Sequence, residues 1–362
     1  MALQELTFEE VSSIVPYDAT AFEPADVGDS FLTDSMELAK EKGIGVPKPE
    51  NFIKEKYENV EEVLDSYTSY MRQINSHVEN RMREGRGNPE MAKNSAFKKG
   101  LGCYDFIKSL ESASLDKEGV ISNELFNESK NLIETATMGL ILLDLHTFNI
   151  NYSNLDKVKA LDKFVNMGVL NPKSADLAMK VTSEACPGCA EYRTTFGFFG
   201  EGVKAEVFTI YSILSSKELI EEEGLEVVKA SPNDDVLKGI DIGIRKKGEK
   251  NFMVLYDIKK AENPSSTGVC SITNKGGAIY AYESGYYAPS LVGDCGKYRV
   301  EQNVFNTARD NFFVIGRFPE NFNASDDISE IENFDKREYI AFRDRLITET
   351  KFSINKWKGE QK

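Results

Sequence analysis

The sequence predicts an α+β protein, with a helical N-terminal region followed by a mixed β-sheet core and its flanking helices. Three observations predict it. Apolar residues recur at three- and four-residue spacing through the first half of the chain. Beyond residue 225 the runs become short and rich in β-branched and aromatic residues. Two of those runs, between Val236 and Ala261, flank a short polar segment with a glycine, Lys246-Lys-Gly-Glu-Lys250, which is the pattern of a hairpin.

Residues 1 to about 30 are acidic and irregular, broken by Pro16, Pro24 and Gly28. From Ser35 to about Lys180 the pattern is helical: Val60, Val63, Leu64, Tyr67 and Met71 form one stripe, and Leu132 to Leu145 another. The stretch Met138-Gly-Leu-Ile-Leu-Leu-Asp-Leu is apolar but interrupted by Asp144, so it reads as a buried helix and not a membrane span. Between Ser183 and Gly202, Cys186-Pro-Gly-Cys189 and Phe196-Gly-Phe-Phe-Gly200 break the helical period and suggest a boundary. Val203, Val207, Ile210 and Leu214 then mark one more helix, ending near Gly224. A strand from Leu225 to Ala230 and a turn at Ser231-Pro-Asn-Asp follow, then the hairpin and a Gly/Ser-rich loop. Ile279 to Glu283 and Asn311 to Arg317 read as further strands. A terminal helix from Ile328 to Trp357 carries Tyr339, Phe342 and Leu346 on one face. The expected division is a helical region over 1–182, a sheet core over 183–330 and a C-terminal helix over 331–362.

Composition narrows the function classes. The 362 residues are 41% hydrophobic and 28% charged, as in an ordinary globular protein. No apolar run reaches membrane-spanning length and the N-terminus lacks a basic signal-peptide region, so the expectation is a cytoplasmic protein with no membrane partner. A net charge of -15 argues against a general polyanion binder but leaves room for basic residues gathered on one face. One such gathering lies between Arg72 and Lys99. Arg81, Arg83, Arg86, Lys98 and Lys99 within it are candidate phosphate contacts, with a solvated helix face as the plainer account. Lys275, in the Gly-, Ser- and Tyr-rich segment from Ser265 to Gly296, is another candidate contact.

Only two histidines occur, His77 and His146, and neither has a partner at metal-ligand spacing. His146, among Leu145, Phe148 and Ile150, reads as a core or boundary residue. Histidine-based zinc chemistry and a hydrolytic triad are therefore hard to build. The five cysteines do not suggest a disulfide scaffold. Cys186 and Cys189 have zinc-ligand spacing, but closing a site with Cys270 and Cys295 would require long loops to fold back, so reduced thiols beside a turn are the leading account. Walker A, dinucleotide-binding, EF-hand and HExxH strings are absent. Chemistry here should rest on carboxylates and lysine.

The hairpin supplies them. A turn centred on Glu249 sets Asp241 opposite Asp257, with Cβ atoms about 5 Å apart. Lys259, two residues on, shares the face of Asp257, while Ile240, Ile242, Val254, Tyr256 and Ile258 point the other way. Facing carboxylates repel unless a cation lies between them.

Helix, strand, strand, strand, carrying Glu206, Asp241 and Asp257-Ile-Lys259 in turn, resembles the PD-(D/E)xK nuclease superfamily, the restriction-endonuclease-like fold. The resemblance spans roughly residues 200 to 260. Ile240 stands where the signature has proline, and Asp234, Asp235 and Glu226 are competing acids. The resemblance implies catalytic Asp241, Asp257, Lys259 and Glu206, with Mg²⁺ (or Mn²⁺) held by Asp241, Asp257 and the Ile258 carbonyl. It further implies a restriction-type, phage or defence endonuclease that cuts double-stranded DNA as a homodimer. The rival expectation is a non-enzymatic structural or protein-interaction protein, a viral one among the options, in which the Asp/Asp/Lys patch is incidental.

Overall fold

The computed structural model describes residues 19–28, 30–83, 88–116, 120–147, 154–186, 190–261, 267–275, 278–283, 285–288, 300–308, 311–318, 327–333 and 337–360. The chain divides into two compact units. One holds the described residues of 26–204 and 323–331, the other those of 1–25, 205–322 and 332–362.

The first unit is helical: α1 (Ser30–Glu41), α2 (Val60–Arg83), α3 (Pro89–Asp116), α4 (Asn123–Thr147), α5 (Asn154–Leu170) and α6 (Pro172–Glu184), with the start of α7 (Ala190–Leu214). At its centre lies α4, whose side chains are buried without interruption from Thr135 to Leu145 except where backbone alone remains at Gly139. A helix apolar on all sides has to be enclosed by others. Asp144, which interrupts its apolar run, is met by Lys99 of α3 at 2.6 Å, both side chains being fully buried. The Tyr67 and Thr137 hydroxyls, 2.5 Å apart, similarly satisfy each other between α2 and α4. His146 is exposed, contrary to the core or boundary placement its apolar neighbours suggested.

The second unit is built on an eight-stranded mixed sheet. Its strands are β1 (Phe22–Glu23), β2 (Leu225–Lys229), β3 (Ile242–Lys246), β4 (Phe252–Lys260), β5 (Gly268–Lys275), β6 (Ala278–Glu283), β7 (Tyr286–Tyr287) and β8 (Phe312–Phe318). Their order is β1-β2-β3-β4-β8-β5-β6-β7. β1 runs parallel to β2 and β4 parallel to β8; the other neighbours are antiparallel. The α+β class is as the periodicity indicates.

The hairpin register also follows the sequence arithmetic: Ile242 pairs with Tyr256, Gly243 with Leu255 and Ile244 with Val254, before a bulge at Ile244/Arg245. Because side chains alternate across a strand, that register fixes both faces. Leu255, Phe313, Ile315, Cys270 and Ile272 line one face and pack with Val300, Val304 and Ala308 around α9 (Gln302–Thr307). The other face meets α10 (Arg337–Glu360): the Tyr256 hydroxyl lies 2.7 Å from that of Thr350, and Ser271 donates to Glu349 at 2.6 Å. Phe208 of α7 packs edge-on against Phe318 there, with ring centroids 5.2 Å apart.

Five further expectations need correction. Residues 232–238 form a short helix, α8 (Pro232–Lys238), where Ser231-Pro-Asn-Asp read as a turn and Val236 as the start of a strand. Ser231 caps it by accepting from the Asp234 N–H, and Pro232 occupies the first turn, where a missing N–H costs nothing. Ile240 packs with Leu255 and Ile315, on the face opposite Tyr256, because it precedes β3 and escapes the strand's alternation. The glycines at 197, 200 and 202 do not break α7, which runs through the expected boundary, and the two units part at Lys204. The Gly/Ser-rich segment contains β5, which pairs locally with β6 and non-locally with β8. The terminal helix starts at Arg337, after a 3₁₀ turn over Ile328–Asn333.

Candidate active site

The candidate site lies at one end of the β2–β3–β4–β8 strands, wholly within the sheet unit. Its construction starts at Gly239. With φ of 67°, this residue closes α8 in the left-handed region, and its N–H returns to the Asp235 carbonyl at 2.8 Å. Buried Ile240 then anchors the chain and delivers Asp241 to the start of β3. The Asp241 N–H donates to the Tyr256 carbonyl (2.8 Å), and its carbonyl accepts from the Ala230 N–H (3.1 Å) and from the Lys229 ammonium (3.0 Å). Its Oδ2 accepts a hydrogen bond from the Ile258 N–H. The carboxylate thus acts as the next rung of the β3–β4 ladder.

Asp257 is fully buried on β4. Both terminal nitrogens of Arg317, on the neighbouring β8, donate to its Oδ2 at 3.2 Å. Its Oδ1 faces the Lys259 ammonium at 3.1 Å and accepts no well-aligned hydrogen bond from any described residue. Lys259 and Arg317 are paired across the β4–β8 ladder, so both stand on the face of Asp257. Lys259 also donates to Glu301, just before α9, at 2.8 Å, and its side chain is 41% exposed. On the neighbouring side Glu206 of α7 pairs with buried Lys229 at 3.0 Å.

Charge is crowded here. Burial lifts the Asp241 carboxyl well above the usual range; Asp235, Glu206 and Asp257 lift it further against the pull of Lys229. Burial also raises Asp235, to about 6, with Glu206 and Asp257 adding to it and Lys229 and Lys259 opposing. For Lys259, burial favours the neutral amine, but Asp257, Glu301 and Asp241 outweigh it and hold the ammonium well above the ordinary lysine value. Lys259 is therefore an ammonium placed to stabilise negative charge.

The sequence-derived quartet Glu206, Asp241, Asp257 and Lys259 therefore belongs to one electrostatic cluster. Among the described residues no three Asp, Glu, His or Cys side chains converge as a ligand set. Mg²⁺ commonly takes only one or two carboxylates and keeps its waters. Asp241 and Asp257 fit that donor set, and the buried Oδ1 of Asp257 is an acceptor that the protein leaves to ammonium contact alone. The Ile258 carbonyl lies on the same strand edge as the N–H that Asp241 holds.

Four partners escaped the sequence reading. Lys229 had a usable signal, a charged residue inside the apolar run Val-Val-Lys-Ala. Asp235 figured only as a competing acid. Arg317 and Glu301 gave no local signal, since their partners lie 60 and 42 residues away.

The expected nucleic-acid contacts fare differently. Lys99 is not a phosphate contact: it is buried against Asp144 and also donates to the Leu140 carbonyl at 3.4 Å. Lys98 is half-buried on α3 and Lys275 is exposed at the end of β5. Arg81 and Arg83 lie on α2, with side chains outside the described set, and Arg86 lies outside the described residues altogether. Arg72, from the same gathering, pairs with Glu184 at 3.3 Å. Of the expected thiol pair, Cys186 is buried and accepts from the Asn75 amide at 2.9 Å, whereas Cys189 lies outside the described residues, as does Cys295. Cys270 is buried in the sheet core. No helix among the described residues is long and apolar enough to cross a membrane.

Set against known protein families, curated proteins and solved structures, the chain finds no match.

Proposed function

We propose that the sheet unit is a Mg²⁺-dependent phosphodiesterase of the PD-(D/E)xK kind, hydrolysing DNA as an endonuclease. The observation that carries this reading is the hairpin register, which brings buried Asp241 beside Asp257-Ile-Lys259, with a solvent-reaching ammonium next to two enclosed carboxylates. Asp241, Asp257 and the Ile258 carbonyl would hold the cation. A bound Mg²⁺ (or Mn²⁺) supplies a Lewis acid for the phosphoryl group and a more acidic water.

The remaining work falls to the chain itself. Lys259 binds the phosphate and stabilises charge that builds on it. Glu206, through Lys229, orders the backbone carbonyl of Asp241 and so the direction of its carboxylate. A cut across both strands of a symmetric duplex site would use two copies of the chain.

The non-enzymatic reading has one specific observation behind it. Arg317 and Asp257 form a buried ion pair of the sort that also serves structure alone. Nicking of supercoiled plasmid in Mg²⁺ or Mn²⁺ separates the two. Expected is divalent-dependent cleavage, abolished in Asp241→Asn and slowed on the order of 10²- to 10³-fold in Lys259→Ala. Cleavage untouched by Lys259→Ala would discard the mechanism, and an inert wild-type chain that divalent ions do not stabilise against heat would favour the structural role.

A further inference from the structure

Resting on the metal-site reading above, we propose that Arg317 is the positioning residue that makes the Asp241/Asp257 pair selective for a small octahedral cation, Mg²⁺ or Mn²⁺, over Ca²⁺. Each carboxylate accepts hydrogen bonds through one oxygen only, the other oxygen of Asp257 meeting the Lys259 ammonium at 3.1 Å. Asp241 gives Oδ2 to the Ile258 N–H, and Asp257 gives Oδ2 to both terminal nitrogens of Arg317. A cation would take Oδ1 of each, at Asp257 in place of the ammonium contact. The two clamps differ in kind. The one on Asp241 is backbone, fixed by the β3–β4 ladder; the one on Asp257 is a side chain, and so can be changed without altering the fold's hydrogen-bonded frame.

Single-oxygen ligation matters because the ions differ in what they accept. Mg²⁺ demands near-ideal octahedral geometry and is content with one or two single-oxygen carboxylates plus water; Ca²⁺ takes six to eight oxygens and readily uses both atoms of a carboxylate. A guanidinium spread across Oδ2 blocks the two-oxygen mode at Asp257. It also places positive charge behind the ligand, which weakens binding of every divalent cation alike, so the discrimination rests on the blocked two-oxygen mode. Arg317 is itself buried, with its side chain 8% exposed, so solvent does not dilute either effect. A lysine in its place would keep the charge but lose the planar fork.

Calorimetric titration of the full chain with MgCl₂ and with CaCl₂ tests this, comparing wild type with Arg317→Gln and Arg317→Lys. The wild type should bind Mg²⁺ in preference to Ca²⁺. In Arg317→Gln the ratio of Mg²⁺ to Ca²⁺ affinity should fall by about tenfold or more, the scale on which partners behind metal ligands act. If Arg317→Gln does not give a cooperative melt, Arg317→Lys carries the test and should show the same direction of change. An unchanged ratio in a folded variant overturns the role of Arg317 while leaving the metal site standing. Absence of divalent binding by the wild type, or binding that survives Asp241→Asn, overturns the metal site itself and this role with it.

Discussion

Asp235 and Asp241 hold their protons more tightly in the folded chain than an ordinary carboxylate does, because both are enclosed among other acids. The consequence for stability has a definite sign. Between about pH 4, where an unfolded aspartate titrates, and the raised folded values, the native state binds more protons than the unfolded one. Stability therefore falls as pH rises through that window. For Asp235 the window closes near 6, and for Asp241 the shift is in the same direction. A melting series from pH 4 to 8 in a chelator should show the metal-free chain losing stability with rising pH. The double variant Asp235→Asn/Asp241→Asn should flatten the curve. Divalent cation should reverse the trend at the upper end, since a ligand that needs deprotonated carboxylates binds better as protons leave. A wild-type curve that stays flat across the window would mean the acids are solvated and the site is more open than described.

At the scale of elements, much of the site was written locally. The hairpin was legible because a turn and two strands of opposite polarity fix a register by themselves, and that register brings the start of β3, just after Asp241, beside Asp257-Ile-Lys259. What lay between β2 and β3 was misread: Ser231-Pro-Asn-Asp fits a turn, and it equally fits a capped helix start followed by Gly239 as its end. Non-local pairing hid the rest. β5 is bounded by glycine-rich sequence and its first half is paired with β8, some 40 residues on, and Arg317 meets Asp257 only because β8 crosses back to lie parallel with β4. Lys99 shows the opposite error, in which a basic cluster in sequence concealed a buried pair whose partner sits on another helix. Gly239 is the element-level residue on which the site most depends. In Gly239→Ala the left-handed backbone should cost about 1–2 kcal/mol. The new Cβ would also stand 2.8 Å from Val304 Cγ2, so the Val304 side chain or α9 must give way as well. Urea denaturation should register a loss of at least that size, accompanied by weakened divalent binding because Asp241 is two residues away.

For the molecule as a whole, the two compact units each carry a buried core and a buried charged cluster of their own, which makes their stabilities separable by mutation. In the helical unit, removing one partner of the Lys99–Asp144 pair strands a charge in an apolar interior. For a fully enclosed pair that costs about 3–5 kcal/mol, so Asp144→Ala should destabilise that unit severely. In the sheet unit, divalent cation should stabilise through Asp241 and Asp257, by an amount that grows with the logarithm of its concentration above the dissociation constant. Scanning calorimetry of the full chain should therefore resolve two components. Asp144→Ala should lower one while leaving the response of the other to Mg²⁺ intact, and Asp241→Asn should remove that response while leaving the first in place. Should both substitutions move a single indivisible transition, with Mg²⁺ stabilising the whole of it, α7, which runs from one unit into the other, couples them too tightly to melt apart. Cation binding at the sheet would then be felt throughout the helical unit.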